Sequence, residues 1–594
     1  MEKTRNEIAE EFKWDLSLIY KTEDDFNKEL EEATSEIEIV KKFEGHLLDN
    51  SNSLLEYLRY SDSVERKMYK LYYYANLNSD ADTTNTHYQE LLGKVSNLLQ
   101  KYSINSSFVT PELMKGDYNK VLEFINENKE LDEYKFALEQ IYRGKPHTLS
   151  EVEEKLLSTL SRSFIAEDAF EKLTDADMEF PDLDVDGKKL PFNESLYGVY
   201  MRNPDRKVRQ EALKTLLTTY AKYKNTIASC FEGNVSLLTS SAKIHKYNSS
   251  LEASLDHDNL KPEIYNKLVE TINNNLGTVH KYYELIKEEL NLDEFHFYDV
   301  YVPMVKDVDK EYTFEEAKSM LFEGLKPLGE EYLKDLEKAF TERWIDVYHN
   351  KGKRGGAYSS GFYDTKPYVL LNFEGKFDDV STLFHELGHS MHSYYSRTNN
   401  TYVNSSYNIF VAEVASTVNE LLLARYMLNK SNDVEEKKYL LNHLMVLYST
   451  TIYRQVMFAE FERDMHNAYE NGEVLTHEFL ENHYLELVKK YFGPNANIDD
   501  YMKYEWERIP HFYYDFYVYK YAIGLSCATK IVNDILSGKE NALENYLAFL
   551  KTGGSMYPAE ELKVAGVDVF SSTVYEEAIK SFDDAIEEYK KLVK

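Results

Sequence analysis

The chain has 594 residues and a formal net charge of −34, with 103 acidic residues against 69 basic ones. Nucleic acids and anionic membranes need a positive partner surface, so we expect neither as a partner. Apolar residues make up 43% of the chain, which is enough for a substantial core and predicts a globular protein.

The cysteines and the N-terminal sequence both bear on the compartment. Cys230 and Cys527 are the only two cysteines, and two distant thiols do not form a disulfide framework. The first residues show no uninterrupted apolar segment followed by a small-residue cleavage site, and no run of about 18 apolar residues occurs. We therefore expect a cytoplasmic protein without a membrane-spanning helix.

The scarcity of helix breakers predicts a mainly α fold. Only 12 prolines and 23 glycines occur, and long stretches without them favour helices. Leu54, Tyr57 and Leu58 already show helical i, i+3, i+4 spacing. We predict a helical region over residues 1–110, a helical region with a short hairpin over 111–195, and a third domain over 196–594.

Two segments depart from this helical pattern. Asp186 and Gly187 lie between alternating residues and predict a small hairpin. Residues 351–375 begin with a glycine- and serine-rich loop and continue into the β-prone run from Pro367 to Phe373. We expect a small sheet here, just ahead of a strongly helical segment.

That helical segment carries a metal-binding pattern, His-Glu-Leu-Gly-His, at residues 385–389. Histidines at i and i+4 point the same way, so His385 and His389 can bind one tetrahedral ion at about 2.0–2.1 Å. Glu386 lies beside such an ion and can take a proton from a metal-activated water. The opposite face of the helix forms an apolar stripe of Val380, Phe384, Leu387 and Met391.

A zinc site of this kind needs a third protein ligand. Tyr395 stands where the metzincin pattern has its third histidine. His392 shares the ligand face, but a straight helix would be strained by bringing it to the same ion, so we interpret it as a residue that supports the ligands. We predict Glu413 as the third ligand, because it follows His389 by 24 residues on a second, mostly apolar helix.

Residues 508–526 form a third candidate segment, rich in tyrosine. If the segment is helical, His511, Tyr514 and Tyr521 share one face. Neutral O–H and N–H donors near zinc can stabilise the oxyanion of a tetrahedral intermediate. A packing cluster is the alternative in a chain with 50 tyrosines, and the residues alone leave both interpretations open.

The three segments that contain these candidate residues together resemble one family. HELGHSMHSYY, FVAEVAST and IPHFYYDFYVYKYAIG, in this order, are similar to the oligoendopeptidase F branch of the thimet-oligopeptidase-like metallopeptidases. FKWDLSLIY and HFYDVYVPM resemble the same branch, so the similarity runs from about residue 10 to the C-terminus. It implies a mainly α, two-lobed, multi-helical zincin-type fold around a deep channel, with a small β-sheet near the active site.

The resemblance implies that 196–594 is the catalytic zinc metallopeptidase domain, and it implies roles for individual residues. His385, His389 and Glu413 match the ligands of one Zn²⁺ per chain, and Glu386 matches the general base.

The family's substrate- and transition-state-binding positions match His511, Tyr514 and Tyr521. The loop from Ala357 to Gly361 and the strand after it resemble the segment that pairs with substrate backbone.

The activity implied is cytoplasmic endopeptidase cleavage of short unstructured peptides. A carboxypeptidase or dipeptidyl-carboxypeptidase on a related helical fold is the alternative within the same chemistry. A non-catalytic peptide-binding scaffold is the alternative from another class, and the presence of Glu386 weighs against it because a pure binder needs no base.

Overall fold

The structure is a computed structural model that describes residues 3–161, 163–305 and 310–593. The chain forms two compact units, each built from three segments. The first unit comprises Met1–Thr148, Lys310–Tyr426 and Ile531–Gly566, and the second comprises Leu149–Asp309, Met427–Lys530 and Val567–Lys594. The region boundaries predicted after residues 110 and 195 stay predictions.

Helices dominate both units, which confirms the predicted mainly α fold. The first half of the chain contains α1 (Glu23–Glu36), α2 (Ser51–Ala81), α3 (Thr86–Asn105), α4 (Val109–Lys115), α5 (Tyr118–Glu127), α6 (Lys135–Arg143), α7 (Glu151–Ser161), α8 (Ala166–Glu171), α9 (Glu194–Met201), α10 (Arg206–Tyr220), α11 (Lys224–Ile244), α12 (Ser250–Asp256), α13 (Pro262–Asn274) and α14 (Leu276–Glu289). The second half contains α15 (Phe314–Gly324), α16 (Gly329–Thr341), α17 (Phe377–Asn399), α18 (Ile409–Lys430), α19 (Val434–Tyr448), α20 (Gln455–Glu470), α21 (His477–Phe492), α22 (Tyr519–Leu536), α23 (Ala542–Leu550), α24 (Pro558–Val564) and α25 (Ser572–Val593). None of the helices in the described part of the chain has the length and apolar character that a bilayer crossing requires.

The strands are short and form three small sheets in the described part of the chain. They are β1 (Leu183–Val185), β2 (Lys188–Leu190), β3 (Phe295–His296), β4 (Ile345–Asp346), β5 (Tyr358–Ser360), β6 (Tyr368–Leu370) and β7 (Ala496–Asn497). β1 and β2 pair antiparallel around Asp186 and Gly187, which confirms the predicted hairpin. β3 and β7 pair in parallel.

The three-stranded sheet of the first unit has the order β4-β6-β5. Its central strand β6 lies within the β-prone run predicted from Pro367 to Phe373, and Tyr368, Val369 and Leu370 are all fully buried. Two of these side chains join the core that also contains apolar side chains of α2 and α3. Side chains on both faces of β6 are therefore buried, and the strand is hydrogen-bonded to β4 on one side and to β5 on the other.

The sequence predicted a loop from Ala357 to Gly361 followed by a strand, and we expected both to pair with substrate backbone. The structure arranges this segment differently. The predicted loop from Ala357 to Gly361 contains strand β5. This strand pairs antiparallel with β6, and Ser359 lies opposite Val369. The strand after the loop is the central one, so it has no free edge. β5 forms one edge of the sheet, and β4 forms the other.

Candidate metal centre

Helix α17 presents the His-Glu-Leu-Gly-His motif from a firmly packed position. The four side chains of its predicted apolar stripe, Val380, Phe384, Leu387 and Met391, are all fully buried. At the N-terminus of the helix, the Asp379 carboxylate accepts hydrogen bonds from the backbone N–H groups of Lys376 at 2.9 Å and of Glu374 at 3.0 Å. Capping of this kind satisfies amides that lack intrahelical partners, so the helix begins at a defined residue.

Gly388 allows α17 and α18 to approach closely. A Cβ atom at this position would lie 2.6 Å from Cα of Ser416 and 2.7 Å from the carbonyl oxygen of Ala415. Asn419 of α18 also donates its side-chain N–H to the Phe384 carbonyl at 2.9 Å. The backbones of the two helices that carry the predicted ligands are therefore in direct contact, and a hydrogen bond joins the helices.

Three donor atoms converge where these helices meet. The Nε2 atoms of His385 and His389 lie 3.2 Å apart. Oε2 of Glu413 lies 3.5 Å from each of them. The candidate ligand atoms all lie within 4.8 Å of one another, and no second group of this kind occurs among residues 3–161, 163–305 and 310–593.

The chemistry of this donor set fits a metal ion. Two imidazole nitrogens and one carboxylate oxygen form a set that zinc accepts in catalytic sites, where a fourth position stays open. His389 also hydrogen-bonds to the backbone carbonyl of Ala412, which orients its ring. The cluster is therefore compatible with a metal site.

Glu420 contacts a predicted ligand, a role that our sequence analysis did not assign. Its Oε1 atom lies 3.0 Å from Nδ1 of His385, on the side of the ring opposite Nε2. A carboxylate at this nitrogen holds the imidazole in the tautomer whose Nε2 lone pair faces a metal. The only signal in the sequence is that Glu420 follows Glu413 by seven residues, two turns along the same helix face.

His392 does not support the ligands in the way that we expected. Its ring is fully buried and stacks on Tyr407 with ring centroids 3.7 Å apart, and it packs against Phe549 at 5.1 Å. Neither ring nitrogen has a hydrogen-bond partner among the described residues, and burial lowers the pKa of the ring to about 3. His392 is therefore a neutral packing residue, and Glu420 occupies the supporting role.

Charges within the cluster act in opposite directions on the two ligand histidines. Burial by itself lowers the pKa of both rings. The hydrogen bond and the charge of Glu420 overcome this effect and raise the pKa of His385. The pKa of His389 falls, because the neighbouring His385 adds to the effect of burial.

Glu386 lies beside the three donors and is 7% exposed. Burial raises its pKa to about 7, the Glu413 charge adds to the rise, and His385 and the backbone N–H of Ser359 oppose it. A carboxyl group poised near neutral pH can both accept and return a proton. Ser359 belongs to the edge strand β5, so the predicted base and the free strand edge are neighbours.

The second unit contains His511, Tyr514 and Tyr521. Their segment is not one continuous helix: a 3-10 helix at Pro510–Tyr513 ends in a bend, and α22 begins only at Tyr519. The rings are nevertheless close, with centroids of His511 and Tyr514 5.6 Å apart and those of His511 and Tyr521 6.4 Å apart. The turn, and not a shared helix face, brings them together.

Tyr517 joins this aromatic group and was not singled out from the sequence. Its ring meets that of Tyr521 edge to face, with centroids 5.4 Å apart. The repeated tyrosines of the segment gave no reason to prefer Tyr517 over its neighbours.

Comparison with known proteins identifies relatives along the whole chain. A model described as peptidase family M3 matches residues 199–581, and one described as oligopeptidase F matches residues 112–180. The chain is 42% identical to oligopeptidase PepF of Bacillus subtilis, over 99% of this chain and 88% of the relative. It is 39% identical to group B oligopeptidase PepB of Streptococcus agalactiae, over 100% of this chain and 99% of the relative.

Solved structures agree with these matches. A crystal structure of a peptidase from Chlamydophila abortus has a TM-score of 0.96 at 37% identity and covers 100% of both chains. Oligoendopeptidase-F from Enterococcus faecium has a TM-score of 0.73 at 33% identity, over 96% of this chain and 99% of that one. The predicted resemblance to oligoendopeptidase F is confirmed.

Proposed function

Because the chain belongs to peptidase family M3, we propose that it is a zinc-dependent endopeptidase that hydrolyses short unstructured oligopeptides. One observation carries this proposal: the donor atoms of His385, His389 and Glu413 converge, with Glu386 beside them. Both cysteines are buried and free, and we place the activity in the cytoplasm, where thiols stay reduced.

The proposed chemistry is hydrolysis by an activated water. Zinc bound by His385, His389 and Glu413 supplies Lewis-acid chemistry, which polarises the scissile carbonyl and lowers the pKa of water towards about 7. Glu386 accepts a proton from the attacking water and passes it to the leaving amine. Glu420 holds His385 in the tautomer that binds metal.

Three further residues have proposed roles in the transition state. His511, Tyr514 and Tyr521 donate hydrogen bonds to the oxyanion that forms when water attacks the peptide carbonyl. Burial lowers the pKa of His511, which keeps its ring neutral near pH 7. A neutral ring and phenol groups can donate to developing negative charge without being titrated themselves.

The substrate class follows from the edge strand. β5 has a neighbour on one side only, so its other edge can pair with an extended peptide. A helix or sheet in a folded protein has already used its backbone hydrogen bonds, so it cannot pair in this way. We therefore propose extended oligopeptides as substrates and expect folded proteins to be spared.

The activity is tested with unstructured peptides of increasing length around one fixed cleavage site. Each is prepared with free ends and with an acetylated N-terminus and an amidated C-terminus, and products are mapped by mass spectrometry with and without a chelator. We expect internal cleavage of both forms, loss of activity with chelator, and rates that fall as the peptides lengthen. Release of one or two C-terminal residues from free-ended peptides alone would support the carboxypeptidase alternative.

Undiminished cleavage of a long unfolded chain such as reduced casein would contradict the restriction to short peptides. Binding of the peptides without any turnover by the zinc-loaded protein would instead support the peptide-binding scaffold.

Zinc content distinguishes the ligands from the residues around them. Glu413→Ala should lose most of the metal, because it removes one of the three donor atoms. Glu420→Ala should weaken zinc affinity by about 10–100-fold, since it frees the His385 ring without removing a ligand. His392→Phe is the matched control, because it keeps a stacked ring against Tyr407, and we expect zinc affinity to be unchanged.

The measurement is a competition titration of zinc against a chromophoric chelator, followed by elemental analysis. Equal losses of affinity in Glu413→Ala and His392→Phe would show that the third ligand is assigned wrongly.

A further inference from the structure

We propose that Glu462, a buried residue of α20, is a positioning residue that fixes the turn at Asp515 and Phe516. The inference rests on the proposed function, because the turn connects the segment that carries His511 and Tyr514 with the helix that carries Tyr521. Glu462 acts through the backbone of the turn.

The turn has an unfavourable backbone conformation. Asp515 has φ 50° and Phe516 has φ 57°, so two consecutive residues other than glycine are left-handed. This conformation is unfavourable for residues other than glycine, and a bulky residue such as phenylalanine rarely adopts it. A conformation of this kind persists only where the surrounding structure imposes it.

Two hydrogen bonds and the packing of the Phe516 ring hold the turn in place. The backbone N–H of Phe516 donates to Oε1 of Glu462 at 2.8 Å. The fully buried Phe516 ring packs against His466 and Tyr265, with centroid distances of 4.5 Å and 5.9 Å. The Ser254 hydroxyl donates to the Asp515 carbonyl at 2.9 Å.

Glu462 is a costly residue to bury. Its side chain is 0% exposed, and its second oxygen has no hydrogen-bond partner among the described residues. An apolar side chain of similar size would avoid the penalty of burying a carboxyl group. What Glu462 contributes in this structure is the bond to the Phe516 amide, which no apolar residue could make.

Loss of this hydrogen bond would shift the tyrosines that come directly before and directly after the turn. Tyr514 comes directly before the turn, and Tyr517 comes directly after it and packs against Tyr521. A displacement of about 1 Å in a positioned catalytic group can cost about 10²-fold in rate. The turn therefore sets how the predicted oxyanion donors face one another.

The experiment compares Glu462→Leu, which removes the acceptor, with Glu462→Gln, which keeps an oxygen that can accept the same N–H. We expect Glu462→Leu to lower kcat by about 10–100-fold with little change in KM, because the donors act mainly in the transition state. Glu462→Gln should stay within about 3-fold of wild type for both constants. Glu561→Leu is the matched control, since Glu561 is also a fully buried carboxyl but accepts no hydrogen bond among the described residues.

A second readout does not depend on turnover. Amide hydrogen exchange in zinc-free protein, followed over residues 512–518, should be faster in Glu462→Leu than in wild type, and unchanged in Glu462→Gln and Glu561→Leu. Asp515→Gly added to Glu462→Leu should recover part of the lost kcat, because glycine adopts the left-handed conformation at little cost.

The inference is overturned if Glu462→Leu keeps the wild-type kcat, if Glu561→Leu loses as much, or if exchange over residues 512–518 is unchanged. If Glu462→Leu does not fold, Glu462→Gln decides the question. A fall in its kcat of about 10–100-fold would overturn the inference, because that variant keeps the acceptor. A wild-type protein that cuts no peptide contradicts the proposed function instead, and the exchange measurement then decides the turn contact alone.

Discussion

Glu386→Gln should abolish peptide turnover while zinc content stays near one ion per chain. Gln keeps the size and the hydrogen-bonding capacity of the side chain but cannot accept a proton from water. General bases contribute about 10²–10⁴-fold, so we expect a fall in kcat of at least about 10³-fold, as for a base with no substitute nearby.

The retention of metal follows from the geometry. The three donor atoms belong to His385, His389 and Glu413, and Glu386 is not among them. His385→Ala should therefore behave differently and lose both zinc and turnover. Steady-state kinetics on one blocked peptide, together with elemental analysis of the same samples, separate the two outcomes.

A Glu386→Gln variant that keeps more than a few per cent of the wild-type rate would show that another group is the base. Loss of zinc in that variant would show instead that Glu386 binds the metal. Wild-type protein treated with chelator and then reloaded with zinc serves as the control, since its activity must return.

The cluster of His385, His389 and Glu413 could be predicted because it depends largely on local periodicity. Two histidines one turn apart point the same way on any helix. The apolar stripe opposite them fixed which face of α17 would be buried, and the structure buries all four stripe residues. Glu413 followed from its place among apolar neighbours on the next helix.

The contact of Glu420 could not be predicted because it depends on how α18 is rotated against α17. That rotation is set by the close approach at Gly388, where a Cβ atom would meet Ser416 at 2.6 Å. Glu420 lies two turns after Glu413 on the same helix face, but nothing in the sequence favours it over His392 as the supporting residue. Packing between helices, and not the pattern within one helix, decides such contacts.

The turn before α22 escaped prediction for a different reason. Asp515 and Phe516 carry no glycine signal, yet both are left-handed. Local propensity disfavours this conformation for phenylalanine, and tertiary contacts with Phe516 override it. The condition of one continuous helix over residues 508–526 is therefore not met, and α22 begins only at Tyr519. The rings of His511, Tyr514 and Tyr521 nevertheless come together.

Tyr521→Phe should lower kcat with little change in KM. The hydroxyl is proposed to donate to the oxyanion, and this bond is stronger in the transition state than in the ground state. Removing a principal donor of this kind costs about 10²–10³-fold in kcat. Zinc content should not change, because Tyr521 supplies none of the three donor atoms.

Tyr519→Phe is the matched control, since it removes a hydroxyl two residues away on the same helix. The Tyr519 side chain is 1% exposed and packs against Tyr265 with centroids 5.1 Å apart, so it belongs to the core. We expect its loss to lower thermal stability slightly and to leave kcat near wild type. If Tyr521→Phe changed only KM, Tyr521 would be a substrate contact and not an oxyanion donor. An equal fall in kcat for both variants would show that the effect comes from disturbed packing of α22, and the donor role would then pass to Tyr514 or His511.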